Sequence, residues 1–211
     1  MGIDINQINV LKLKDGSGYV VDGFQEFENT VDDHHFSEYR YESQWIEEFI
    51  PVRDRSMMNL LAGNEDEDCD DSWFIPWHYK TMDDKELFLN DILPLLSEEQ
   101  KKSIEEIRKD GCTFDWTVWR FDDLKHALTR MTFVIEDYIS RMKNRHPHKY
   151  IKGGDMYDDE RILEKIKKII SKLETFEAAC LKAPQKDEKG IEILSKPFNP
   201  KESYFIFFKD N

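Results

Sequence analysis

The chain has 211 residues, 39% of them hydrophobic and 35% charged, a length that suits one domain or one domain with an appendage and argues against two large ones. Fourteen Phe, eight Tyr and five Trp supply enough bulky side chains for a packed core, which argues against wholesale disorder. A net charge of −14 argues against a protein that coats DNA or anionic lipid by bulk attraction.

In chain order, Ile8 to Lys14 and Gly18 to Val21 are β-prone runs on either side of Asp15-Gly16-Ser17-Gly18, which predicts a hairpin. Residues 35–46 hold Phe36, Tyr39, Tyr41 and Trp45, and the period-two placing of the tyrosines predicts a further strand. Ser56 to Ala62 is a short apolar run ending at Gly63, the pattern of a brief helix with a glycine stop. Two acidic helices should follow. One runs from about Asp83 to Leu93, before Pro94, and the other opens at Ser97, with Gln100 completing a capping box, and closes near Gly111. From Cys112 to Arg120, Phe114, Trp116 and Val118 alternate with Thr113, Asp115 and Thr117, which predicts a strand whose buried face is the aromatic one.

Helical periodicity is clearest beyond that strand. Phe121, Leu124, Leu128, Met131, Ile135, Tyr138 and Met142 recur at spacings of three and four, as do Ile162, Ile166, Ile169, Leu173, Phe176 and Cys180, so each set forms one helix stripe. Asp158 and Asp159 offer an N-cap to the second helix. Pro147 and Gly153-Gly154 lie between the two stripes, which predicts a reversal and an antiparallel αα-hairpin. After Pro184 the chain is polar until Ser203 to Phe208, a dense β-prone run expected to rejoin the sheet. The predicted fold class is therefore α+β: a small, mostly antiparallel sheet covered by helices, plus a long antiparallel αα-hairpin. Residues 1–120 form an acidic α+β region, 121–183 the helical hairpin, and 184–211 a tail and strand packing back on the sheet.

Charge is divided unevenly. Residues 1–118 hold 28 Asp and Glu against 11 Lys and Arg, a net of −17, while residues 119–211 hold 16 against 19. Glu65, Asp66, Glu67, Asp68, Asp70 and Asp71 place six carboxylates in seven residues, and Trp73, Phe74 and Trp77 follow. The plain reading is a solvated loop. The functional one is a partner-binding strip, because closely spaced carboxylates imitate a phosphate chain for a basic protein and aromatics beside them supply docking contacts. A calcium loop starting at Asp66 would need Gly and Glu where Asp71 and Trp77 stand.

Arg141, Lys143, Arg145, Lys149 and Lys152 form a basic stretch, with His146 and His148 around Pro147. Cations at a helix C-terminus explain it more simply than phosphate binding does. Cys69, Cys112 and Cys180 fit neither a disulfide framework nor a metal knuckle, and His34, His35 and His78 stand beside no nucleophile motif. No metal site, cofactor motif or catalytic set is expected from these patterns.

The chain opens Met1-Gly2-Ile3-Asp4-Ile5, continues through Asp54-Arg55-Ser56-Met57-Met58-Asn59-Leu60-Leu61-Ala62-Gly63, and later passes Asp110-Gly111, Trp116, Trp119 and Leu124. Over about residues 1–130 this order resembles a family of uncharacterised bacteriophage and bacterial proteins that open with Met-Gly-x-Asp-Ile. Asn6 stands where those proteins commonly have His, and Ser56-Met57 where they have Asn-Tyr. The resemblance implies a phage- or mobile-element-encoded protein and transfers no activity.

With the charge layout, it leads to the expectation of a counter-defence protein. Such a protein would inhibit a host immune factor, itself basic and nucleic-acid-handling, by direct acidic-surface binding, without touching nucleic acid or membrane. A second reading is a small nucleotide-binding or nucleotide-processing protein with Asp4, Arg55 and Asp110 converging on one pocket. A third is a virion or assembly component that self-associates, for example as a homodimer. No apolar run reaches 18 residues, and the N-terminus lacks the basic and apolar regions of a secretory signal, so the expected location is cytoplasmic, in the host if phage-encoded.

Overall fold

Around Asp15 the chain reverses through a turn closed by Leu13 N–H donating to the Gly18 carbonyl at 3.0 Å and Gly16 N–H to the Leu13 carbonyl at 3.2 Å. Gly16 sits at φ +79°, the left-handed region that favours glycine. The carboxylate of Asp15 accepts both the N–H and the hydroxyl of Ser17, which lowers its pKa. The turn joins strands β1 (Asp4–Leu13) and β2 (Tyr19–Asp22), so the predicted hairpin is present, with β1 starting earlier than the sequence suggests. The computed structural model describes residues 4–23, 25–29, 36–40, 43–49, 57, 60–61, 90, 92–98, 101, 116–146, 157–182, 185–186, 189, 192–193 and 196–210.

Further along the chain come β3 (Gln25–Asn29), β4 (Phe36–Arg40), β5 (Trp116–Arg120), α1 (Phe121–Arg145), α2 (Tyr157–Leu181), β6 (Gln185–Lys186), β7 (Glu192–Ile193) and β8 (Phe198–Asp210). The main sheet is antiparallel in the order β2-β1-β8-β5, while β3-β4 and β6-β7 form two separate ribbons. β4 falls within the predicted 35–46 segment. β8 is longer than predicted, and it lies between β1 and β5 at the centre of the sheet. The α+β class is the one observed.

A bulge shapes β8. Its pairing with β1 passes from Val10↔Tyr204 to Lys12↔Asn199, so the residues between are looped out, and Pro200 is tolerated there because no ladder donor is needed. The buried Ser203 hydroxyl stitches the loop shut by accepting Lys12 N–H at 3.0 Å and donating to the Asn199 carbonyl at 2.8 Å.

Both faces of the sheet are covered. On one side Leu11, Trp119, Phe205 and Phe207 meet the helices, with Phe121 lying 6.2 Å from Phe176 and 6.1 Å from Phe205. On the other, Ile8, Val10, Val118 and Ile206 pack against Ile92 and Leu96, which flank the 3₁₀ turn Leu93–Leu95 that contains Pro94. This corrects the one-sided reading of the strand at 112–120. Thr117 and Trp119 are buried as deeply as Val118, and both donate to the Leu61 carbonyl, at 2.5 and 3.2 Å. A hydroxyl with a partner can occupy a core position.

The predicted stripes are the buried faces of α1 and α2. In α1, Ala127 and Ile139 join the stripe, while Tyr138 and Met142 lie at its partly exposed edge. In α2 all six predicted residues are buried. The helices run antiparallel, since Lys125 pairs with Glu177 at 2.8 Å, Glu136 with Lys167 at 2.6 Å, and Lys143 with Glu160. Asp158 and Asp159 lie in the first turn of α2, after Tyr157, where their charge suits the helix dipole. At the other end of α2, the Lys14 ammonium takes the Cys180 carbonyl and Lys196 N–H the Ala179 carbonyl at 3.2 Å, satisfying acceptors that the helix leaves open. The Ser56–Ala62 expectation is met at Met57, Leu60 and Leu61, which are helical, and Lys101 N–H donates to the Ser97 carbonyl at 2.9 Å as in a helix opened by Ser97. Gly63, Gly111, Pro147 and Gly153-Gly154 lie outside the described residues, as does most of 83–91.

Ser203→Ala removes the acceptor of the part-buried Lys12 N–H and the donor to the Asn199 carbonyl, so a destabilisation of about 1–3 kcal/mol is expected, read as a lower urea midpoint at unchanged slope.

Candidate functional site

Residues 43–49 form neither strand nor helix, yet a run of buried polar side chains fastens them to the edge of the sheet. Gln7, Asn9 and Leu11 share one face of β1, and Asn9 is paired in register with Asp22 of β2. Phe49 N–H donates to Gln7 Oε1 at 2.9 Å, Gln7 Nε2 to Asn9 Oδ1 at 2.8 Å, and Asn9 Nδ2 to Asp22 Oδ2 at 3.3 Å. Asp22 also accepts the Ser43 hydroxyl at 2.6 Å and Gln44 N–H at 2.9 Å. Asp22 is only 8% exposed, and a carboxylate so placed is tolerated because donors surround it. The Ser43 oxygen in turn accepts the N–H groups of Trp45 and Ile46.

Lysines hold the other side of this strap. The Lys196 ammonium donates to the Trp45 carbonyl and lies 5.2 Å from the centre of the Phe176 ring. The Lys172 ammonium donates to the Glu48 carbonyl and is 3.7 Å from the Glu47 carboxylate. Burial raises the pKa of the Glu48 carboxyl, with Lys172 opposing the shift.

Between the strap and α2 lies a groove of about 400 Å³, with Trp45 and Ile46 on one wall, Ser171, Lys172, Thr175 and Phe176 on the other, and Lys196 also lining it. The Trp45 ring meets Phe198 edge-on at 5.1 Å, and Phe176 stacks on the same ring at 6.4 Å. The groove thus joins aromatic surface to two ammonium groups, a combination suited to holding a small organic anion. Among the described residues no group of three or more His, Cys, Asp and Glu is placed to hold a metal ion.

Of the residues singled out from sequence, Glu65, Asp66, Glu67, Asp68, Asp70, Asp71, Trp73, Phe74 and Trp77 lie outside the described residues, as do Arg55 and Asp110. Asp4 opens β1 opposite Asp210 of β8. Arg141, Lys143 and Arg145 occupy the last turns of α1. Arg141 pairs with Asp137 at 2.5 Å and Lys143 with Glu160, in keeping with the helix-end reading. Cys180 is buried and free, and burial pushes its thiol pKa up to about 11, the state of a packing residue rather than a nucleophile. Among the described residues no helix is long and apolar enough to cross a membrane.

The sequence marks Trp45 and Phe176 only as members of a predicted strand segment and a helix stripe, and marks the groove's lysines not at all. Gln7 lies outside the predicted β-prone run and Asn9 carries no mark within it, and nothing in the spacing of Lys172 and Lys196 links them. Comparison with protein-family models, with curated proteins and with solved structures gives no match.

Asp22→Asn turns an amide donor toward groups that already donate, so a loss of about 1–3 kcal/mol is expected, with faster hydrogen exchange at the Gln44 and Ile46 amides. Glu48→Gln should raise the melting temperature at neutral pH. The raised folded-state pKa means that ionisation opposes folding, and this cost grows as pH rises from the ordinary value of 4.5 through the folded value. Melting curves at neutral pH and well below pH 4.5 should therefore show the advantage of the variant vanishing in acid.

Proposed function

We propose that this chain is a binding protein that inhibits a basic, nucleic-acid-handling host factor through its acidic N-terminal part, in the setting of a bacteriophage or mobile element. The charge asymmetry carries the reading, with a net of −17 over residues 1–118 and several hairpin cations engaged within the hairpin itself. Among the described residues, Lys125, Arg141, Lys143 and Lys167 pair with Glu174, Glu177, Asp137, Glu160 and Glu136, all beyond residue 118. Lys172 reaches into the first part, to Glu47. Pairing of this kind leaves these cations unable to offset the acidic surplus of the first part, and such a surplus would steer a basic partner and speed encounter. Trp73, Phe74 and Trp77, next to the densest acids, would lengthen the lifetime of the complex. The phage setting rests on the resemblance of Met1 to Ile5 and of the segments near Arg55 and Asp110.

The test is to capture proteins from a bacterial lysate with the intact chain and with a variant carrying Lys at Glu65, Asp66, Glu67, Asp68, Asp70 and Asp71. The expected result is capture of a nucleic-acid-binding protein that duplex DNA and moderate salt both displace, and that the variant no longer retains. Affinity and salt dependence unchanged in the variant would overturn the proposal.

A further inference from the structure

We propose that the groove between the Ser43–Phe49 segment and α2 binds a phosphate monoester carried on a flat ring, a nucleoside monophosphate being the simplest such molecule. Its volume of about 400 Å³ falls in the range of roughly 300–1,000 Å³ typical of small-ligand sites. In a chain of net charge −14, two ammonium groups line this one opening. Among the described residues Lys196 donates to the Trp45 carbonyl and Lys172 to that of Glu48, with the exposed Glu47 carboxylate 3.7 Å from Lys172. An ammonium has three donors, so each lysine keeps donors for an incoming oxyanion while its position is already fixed. Lysine acts as a point charge and suits the spread charge of a phosphate, whereas a planar carboxylate is better matched by the fork of an arginine.

Trp45, half-buried and braced edge-on against Phe198, offers apolar ring surface beside those cations, with the buried Phe176 ring behind Lys196, and a planar ring gains from such contact whatever its edge groups. The Ser171 hydroxyl lines the same space. Glu47 is the opposing element. Its side chain is 87% exposed and lies 3.7 Å from the Lys172 ammonium, so a phosphate arriving there competes with the carboxylate and meets its repulsion. Wild-type affinity is thereby held down by a residue whose side chain gives the strap only a solvent-exposed ion pair.

Titration calorimetry and amide NMR on the intact protein test this with adenosine monophosphate, adenosine and ribose 5-phosphate. The monophosphate is expected to bind, and adenosine and ribose 5-phosphate each to bind at least about tenfold more weakly, about 1.4 kcal/mol. Lys172→Gln should weaken binding about tenfold with its circular dichroism unchanged. Because Lys172 also holds a strap carbonyl, Glu47→Gln supplies the independent arm, expected to tighten binding about two- to fivefold through loss of an exposed competing charge. Three results would each overturn the site: no heat and no shift with millimolar adenosine monophosphate in either wild type or Glu47→Gln, adenosine binding as tightly as the monophosphate, or both variants leaving affinity unchanged.

Discussion

The Asp22 carboxylate cannot be buried without donors, and that requirement organises one whole side of the molecule. A charge withdrawn from water is costly unless its lone pairs are taken up, and here they are taken up by Asn9, Ser43 and Gln44. Two of these belong to a segment with no ladder or helix of its own. The strap therefore takes its shape from side chains of β1 and β2, which explains how an irregular stretch can form a fixed wall opposite α2. Gln7 extends the same logic to Phe49, so the polar run spans the described strap.

Polar groups act as fasteners elsewhere too, at points where apolar packing would leave the register open. Ser203 closes the bulge between β1 and β8, and Thr117 with Trp119 takes up the Leu61 carbonyl. Each of these donors or acceptors lies inside or beside apolar layers, where a half-satisfied group would be worse than none. The apolar layers supply the mass of the stabilisation through packed rings such as Phe121, Phe176, Phe198 and Phe205, while the buried hydrogen bonds decide which arrangement of those layers is adopted.

How much of this could be read in advance depended on whether a pattern was local. The helix pair was legible because spacings of three and four mark one face whatever lies opposite, and all six stripe residues of α2 are buried. The β1–β2 hairpin was legible because turn chemistry at Asp15 to Gly18 sits between β-prone runs. The burial of both faces of β5 was not, because a threonine reads as solvent-facing until its acceptor, 56 residues away, is known. β3, β6 and β7 carry no such alternation of large apolar residues. The groove was invisible for the same reason: it joins Trp45, Lys172 and Lys196 across 151 positions of sequence, and only the path of the chain brings them together. The acidic strip is the opposite case, plain in composition and lying outside the described residues.

The pairing of β1 with β8 sets a timetable for the chain as it leaves the ribosome. Lys12 and Ser203 are 191 residues apart, which at about 5–20 residues per second is roughly ten to forty seconds of translation. Throughout that interval β1 can form its hairpin with β2, but its other edge carries open N–H and C=O groups beside Ile8 and Val10, the kind of edge that recruits foreign strands. α1 and α2 are complete before β8 exists, so the helical layer is assembled while the floor it will rest on is still missing its middle plank. Sheet closure is a late event by construction, and a newly made chain has most need of a chaperone in the interval before it.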